Sequence, residues 1–496
     1  MKVLLVRPPV PKHTMGLKHV MICEPLELEY VAAGIENHEL QIMDLILERG
    51  FEKRLRSFDP DVVATSCYVT GVNEVIKLCR QTKNWNPDCL TVVGGVHASR
   101  AAEDFYDPSI DCIVPGDGTS AMREIMKARE EGRDLSDVPG LFLPSPEGLI
   151  ATAAAPYMGH PDDLPFPRRD LTKHLRHRYY YLFHRPVALM KTLWGCWYKC
   201  NFCFTWKITD GAAFARSPES IVAELEQIEE EDVYIVDDIF LIKPSRLRRI
   251  ADLIRERGIR KKFLVYARAD FVAENPEIVK EWAEIGLTAV FIGLEASTDV
   301  ELDSMNKQTT SDVNREAIRV LREYRVDTYG SLITQPDYTR EDWERLWRFI
   351  DETGLYYVNI SPLTPLPGTD IWEQFAPKMT VPRDAHGLFD LSHILLPTKV
   401  SLREYYRSLI WLYTRTSLDI RRARKNAFRT RPPLFSVRYL RLFWGAMRIY
   451  MQMINAHRHH EDRELQIARD RGGDQPELQP RRITVSGAKP METAAR

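Results

Sequence analysis

From the first residues, short β-branched runs alternate with stretches whose apolar positions recur every three or four residues. Runs at 3–6, 39–44, 61–66, 90–93 and 112–114 predict strands, and 27–34 and 71–81 predict helices between them. Parallel neighbours need crossover connections, so this alternation predicts a doubly wound parallel sheet over 1–125. Ligands of such sheets sit beyond the carboxyl ends of the strands. Those ends carry Arg7-Pro8-Pro9, Thr65-Ser66-Cys67, Gly94-Gly95-Val96-His97 and Pro115-Gly116-Asp117-Gly118.

Pro144, Pro146, Pro156, Pro161, Pro165 and Pro167 then break the pattern, which predicts a linker with some local structure over 126–185. A second series follows over 186–400, with strands expected at 187–193, 233–237, 263–268, 289–295, 328–334 and 357–361. Helical patterns lie between them at 219–229, 246–257, 277–285, 312–324 and 340–353. Six βα units fit a partial or complete parallel barrel with its chemistry at the C-terminal strand ends. The fold class is therefore α/β, ending in a helical segment over 401–460. Residues 461–496 are polar without apolar periodicity and are expected to be disordered.

A chain of 496 residues exceeds one ordinary core, in keeping with several domains. The net charge of −2 gives no reason to expect nucleic acid as a partner. No apolar run reaches the ~20 residues that span a bilayer, and the N-terminus reads as a first strand rather than a secretory signal. Three of the eight cysteines fall within eight residues, which does not suit a disulfide framework. A cytoplasmic location follows as the expectation.

Those three are Cys196, Cys200 and Cys203, directly after the first strand of the second series. A CxxxCxxC loop wraps three thiolates around an iron–sulfur cluster and leaves a fourth iron without a protein ligand. Zinc would want a fourth Cys or His nearby, and His184 lies on the wrong side of a strand. With an aromatic before its last cysteine, the motif resembles the radical S-adenosylmethionine (SAM) superfamily over most of residues 185–400. The resemblance implies a [4Fe–4S] cluster on the three cysteines, SAM bound at the open iron, and a 5′-deoxyadenosyl radical that abstracts hydrogen from substrate. It also implies an electron donor such as flavodoxin or ferredoxin. It places Asp237 and Asp238 near the SAM amino group, through side chains or backbone carbonyls, with strand-end capping as their other reading; it places Arg268 near the SAM carboxylate and Asp270 near its ribose. Gly293-Leu294-Glu295-Ala296-Ser297 resembles the family's GxE element, with Gly293 giving the backbone access and Glu295 and Ser297 offering polar contacts.

The order of Glu24-Pro25-Leu26-Glu27-Leu28, Val93-Gly94-Gly95-Val96-His97 and Val114-Pro115-Gly116-Asp117-Gly118 resembles the cobalamin-binding class of these enzymes. In that class Ser66, Gly94 and Gly95 would border cobalamin. One departure stands out: where mutase-type domains carry a cobalt-ligating histidine, this chain has Ile46. His97 is then a substitute ligand or a turn histidine. The chain resembles magnesium-protoporphyrin ester cyclases and hopanoid methylases alike, and Cys203-Phe204-Thr205-Trp206-Lys207 separates neither. The resemblance implies a cobalamin-dependent radical SAM C-methyltransferase on an unactivated carbon of a small molecule or lipid. The alternatives are an oxidative cyclase without methyl transfer, and an iron–sulfur or cobalamin sensor.

Residues 401–460 hold thirteen Arg or Lys against two Asp or Glu. Over 436–455, Arg438, Arg441 and Arg448 form a narrow stripe beside a broad aromatic and apolar face. A helix of this kind either lies in a membrane interface through 430–456 or packs on the barrel with solvated arginines.

Overall fold

The computed structural model describes residues 1–15, 19–417, 436–460 and 484–485. Residues 1–12 and 25–174 form one compact unit with the strand Thr484–Val485, and residues 13–24 and 175–466 form another. Most of the expected disordered tail lies outside the described residues, as does the basic run at 421–425.

In the first unit, Val3, Leu4, Leu5 and Val6 are fully buried, as a continuous apolar run in a sheet covered on both faces must be. Val3 and Leu5 join Leu28, Ala32 and Ile125 on one face. Leu4 and Val6 join Leu55, Phe58 and Leu78 on the other. Lys2–Arg7 pairs in parallel with Glu39–Asp44 on one side and with Val62–Ser66 on the other. Leu90–Gly94 and Cys112–Ile113 follow in parallel. In chain order the five parallel strands run 2-1-3-4-5, and the winding reverses between the first and third. That reversal opens a crevice beyond their carboxyl ends, at Arg7 and Ser66.

The Pro-rich stretch holds some local structure, as expected of it. Phe142–Ser145 and Gly148–Ala151 form an antiparallel hairpin that extends this sheet beyond Cys112–Ile113. Thr484–Val485 adds a further strand beside Gly148–Ala151.

In the second unit, Val187–Met190, Asp232–Ile235, Lys262–Arg268, Leu287–Glu295, Asp327–Thr334 and Tyr357–Pro362 lie side by side in chain order, all parallel. The first and last do not pair with each other, so the sheet is a half-barrel. Its intervening helices start at strong signals. Ser217 caps Pro218–Gln227, and Thr339 with Asp342 makes a capping box for Arg340–Thr353, which ends at left-handed Gly354. The first strand stops at Met190, short of the expected 193. Leu193–Gly195 instead pairs antiparallel with Ala213–Ala215.

Among the described residues, two C-terminal helices belong to this unit. In Leu402–Ser417, the Tyr405 hydroxyl lies 2.7 Å from Thr334 Oγ1 and the Tyr413 hydroxyl donates to the Ile360 carbonyl. In Val437–His459, Tyr450, Met453 and Ala456 enter the half-barrel core. Packing on the barrel thus occupies one face of that helix. Among the described residues no helix is long and apolar enough to cross a membrane.

Candidate cofactor sites

The three cysteines lie on the loop that leaves Leu193–Gly195, at the C-terminal rim of the half-barrel. Gly195 holds φ +86, and a Cβ there would come 2.3 Å from the Ala212 carbonyl oxygen, so only glycine turns the chain into the loop. Cys200 is buried, and Cys196 and Cys203 are half-buried. The loop is held from outside. Asn201 donates through its backbone to the Met305 carbonyl and through its side chain to the Ser304 carbonyl (2.7 Å). Asn306 donates to the Lys199 carbonyl (2.7 Å), and the Trp206 indole donates to the Cys200 carbonyl (3.1 Å). Phe202 packs on Ala296, Leu302 and Met305. Burial pushes the Cys196 thiol up to about 11, and pushes the Cys203 thiol up too. Positive charge among the sulfurs is what would bring them to thiolates.

Asp237 is buried and turned inward. It accepts from the Thr192 N–H (2.6 Å), the Leu193 N–H (3.0 Å) and the Thr192 hydroxyl (2.5 Å). This is the strand-end capping expected as the other reading of Asp237. It also explains why the first strand ends early, since the carboxylate takes the N–H groups next in line for the ladder. Burial raises the Asp237 carboxyl above the ordinary range, against the opposing pull of Lys191. Asp238 is more open. It accepts from the Gly195 N–H and from Lys191 (both 3.2 Å), and from the Thr205 hydroxyl at 3.4 Å. Its carboxylate therefore faces both ends of the cysteine loop.

Arg268 and Asp270 are partners of one another, with Arg268 Nε and Nη2 at 2.9 and 2.8 Å from Asp270 Oδ2. Arg268 also donates to the Lys307 carbonyl (2.8 Å), and its guanidinium stacks 3.6 Å from the Tyr198 ring of the cysteine loop. Gly293 begins a bulge in which Glu295 takes φ +60 and pairs with Lys307 at 2.8 Å, both side chains buried. A Cβ on Gly293 would meet Glu295 Oε1 at 2.5 Å. Ser297 is half-buried on the same loop. Asn201, Trp206, Asn306, Lys307 and Tyr198 escaped the sequence reading, because hydrogen bonds to carbonyls and a ring stack leave no spacing pattern.

In the first unit, Ser66 and Gly94 end paired strands and lie opposite one another in register. Gly95 holds φ +100, and a Cβ there would sit 2.7 Å from Ser66 Oγ and 2.8 Å from the Cys67 nitrogen. His97 is buried, with Nε2 at 2.8 Å from Asp104 and its ring edge-on to Phe105. Its Nε2 is thus engaged within its own turn. Asp44 is buried against Arg7 and accepts from the Ile46 N–H (3.0 Å), which shapes the loop carrying Ile46.

Residues 12–126 match the B12 binding domain family, and residues 191–350 match the Radical SAM superfamily. The chain is 33% identical over 420 residues to the hopanoid C-3 methylase of Methylococcus capsulatus, covering 83% of this chain and 79% of that one. It belongs to the B12-binding radical SAM enzymes. The anaerobic magnesium-protoporphyrin IX monomethyl ester cyclase of Cereibacter sphaeroides is 26% identical, over 79% of this chain and 65% of that one. In fold, the chain resembles the radical SAM methyltransferase TsrM from Kitasatospora setae. Its TM-score is 0.67 at 16% identity, over 95% of this chain and 99% of that one.

The cofactors of this B12-binding radical SAM enzyme are a [4Fe–4S] cluster, SAM and cobalamin. The donor set fits the cluster. Three thiols share one loop, and thiolates are the usual protein ligands of an iron–sulfur cluster. The edge at Ser66, Gly94 and Gly95 carries no large side chain at the carboxyl ends of the strands, where a doubly wound sheet takes its ligands.

Proposed function

We infer that this enzyme transfers a methyl group to an unactivated carbon of a hydrophobic, isoprenoid-type lipid. The observation that carries the reading is one conjunction: a three-thiol loop and a glycine-edged doubly wound sheet in a single chain, at 33% identity to a hopanoid methylase. Cluster-bound SAM and methylcobalamin supply hydrogen-atom abstraction from such a carbon and the methyl group that replaces the hydrogen.

The protein's part is to hold and orient. Cys196, Cys200 and Cys203 are the cluster ligands. Asp238 receives the SAM ammonium, and Gly293 keeps a side chain out of its path. Ser297 and the Glu295–Lys307 pair line the same loop. Arg268 reaches the SAM carboxylate only by sharing its fork with Asp270, which in turn faces the ribose. Asp237 is a positioning residue that fixes the backbone leading into the cysteine loop. Ser66, Gly94 and Gly95 would border cobalamin at the carboxyl edge of the N-terminal sheet. An electron donor of the flavodoxin or ferredoxin kind completes the set. The location is the cytoplasm, with peripheral membrane contact through the exposed face of Val437–His459, where a lipid substrate would be met.

Anaerobically reconstituted protein, given SAM, reductant and a bacterial lipid extract, tests this. S-adenosylhomocysteine and 5′-deoxyadenosine are expected in equal amounts, with a lipid heavier by one methylene. A second reading, oxidative ring closure, is favoured by the 26% identity to the cyclase; it yields 5′-deoxyadenosine alone. A sensor gives neither product beyond slow abortive cleavage.

A further inference from the structure

Six of the ten exposed large hydrophobic side chains among the described residues lie on the single helix Val437–His459. Tyr450, Met453 and Ala456 bury one face in the half-barrel core, and Gly445 passes so close to His19 that a Cβ would meet its carbonyl oxygen at 2.1 Å. At 100° per residue, Val437, Leu440, Trp444, Met451 and Ile454 share the opposite face. Their exposure runs from 43% at Leu440 to 83% at Val437. Exposed Arg441 and Arg448 follow one edge of this stripe, and residues 437–459 contain no Asp or Glu. A contiguous apolar face of this length marks an interaction surface.

The stripe ends on a cavity of about 870 Å³, and Val437 belongs to both. The cavity lies where the chain enters the first two strands of the half-barrel, at the end opposite the cysteine loop. One wall is cationic and aromatic. The Arg441 guanidinium lies 4.3 Å from the centre of the Tyr180 ring, and that of Arg185 lies 5.6 Å from it. His19 and His177 add imidazoles. Glu229 and Glu230 also line the space; Glu230 is paired with Arg176 at 2.8 Å. Guanidinium groups match phosphate oxygens in geometry and charge, and Arg441 has an uncharged ring as its neighbour here.

We propose that this cavity takes the phosphate headgroup of an anionic membrane phospholipid, whose acyl chains lie along the apolar stripe of the helix. The site rests on the interfacial reading above and adds a headgroup preference to it. Charge and apolar surface are adjacent on one element, which is what an amphiphile requires and a soluble anion does not.

Co-sedimentation of the full chain with vesicles tests this, comparing phosphatidylcholine alone with phosphatidylcholine containing phosphatidylglycerol. The wild type is expected to bind both and to prefer the anionic vesicles. Arg441→Ala and Arg185→Ala should each reduce that preference about fivefold while leaving binding to neutral vesicles unchanged. Trp444→Ser with Met451→Ser should weaken binding to both kinds about tenfold or more. Each of these side chains lines solvent or the cavity, and matching circular dichroism verifies the fold; Arg441→Lys, which keeps the charge, should retain part of the preference. Equal binding of the wild type to both vesicles overturns the headgroup site and leaves the interfacial reading standing. Absence of binding to either overturns both. Release of the protein by excess glycerol phosphate assigns the cavity to a free phosphate compound and overturns the lipid assignment.

Discussion

The two strand-end edges of this enzyme solve the same problem in opposite ways. On the assignment proposed above, side chains do the holding at the half-barrel rim: three thiols, Asp238, the Arg268–Asp270 pair and the Glu295–Lys307 pair, with Asn201 and Asn306 tying the loop backbone in place. At the carboxyl edge of the N-terminal sheet, the same assignment gives the task to backbone, at Ser66, Gly94 and a left-handed Gly95, with His97 paired to Asp104. A cluster needs covalent ligands of one chemical type at fixed places. A large cofactor with ligands of its own needs room and shape.

If that contrast holds, damage to one edge should spare the other. The largest effect is expected for Cys200→Ala, which should abolish SAM cleavage, a loss of more than about a thousandfold, while the cobalamin absorbance of the same sample stays unchanged. Lys307→Met strands the buried Glu295 carboxylate and should cost about 3–5 kcal/mol in the half-barrel, read as a lower midpoint of urea unfolding and faster cluster loss. Gly95→Val forces a branched side chain into a left-handed turn against Ser66. It should cost about 1–3 kcal/mol and remove cobalamin at unchanged iron content.

The smallest effect concerns Glu29, which burial raises to about 7 despite Arg169 and the Thr172 hydroxyl. The folded chain therefore holds that proton more tightly than the unfolded chain. The stability it brings is complete below the ordinary carboxyl value and is lost as pH rises through about 7. Glu29→Gln should accordingly raise the Tm at pH 8 by roughly 2–4 °C and change it little at pH 5. An equal shift at both values would contradict the assignment.

The contrast between the edges also explains what the sequence made legible. The cysteine loop and the GxE element could be read because their chemistry sits at fixed spacing. The parallel strands could be read because runs such as Val3–Val6, Val62–Ala64 and Val187–Met190 are buried on both faces and stay apolar throughout. The hairpin at 142–151 could not, since Pro144 and Pro146 look like punctuation even at the edge of a sheet, where proline is tolerated. Asp237 carried the right residue type for a ligand contact, yet its carboxylate serves the Thr192–Leu193 backbone, a use fixed only by three-dimensional placement. Lys307 and Tyr198 lie far apart in sequence, and both meet Arg268. The C-terminal helix left two readings open because it has two faces: Tyr450, Met453 and Ala456 pack inward while Trp444 and Ile454 remain outside.

Elemental analysis of anaerobically purified protein puts the central claim to its hardest test. Iron with acid-labile sulfide, together with cobalt, is expected in the wild type, and cobalt without iron when all three loop cysteines are alanine. Zinc in place of iron, or SAM cleavage that survives the triple replacement, would contradict the account.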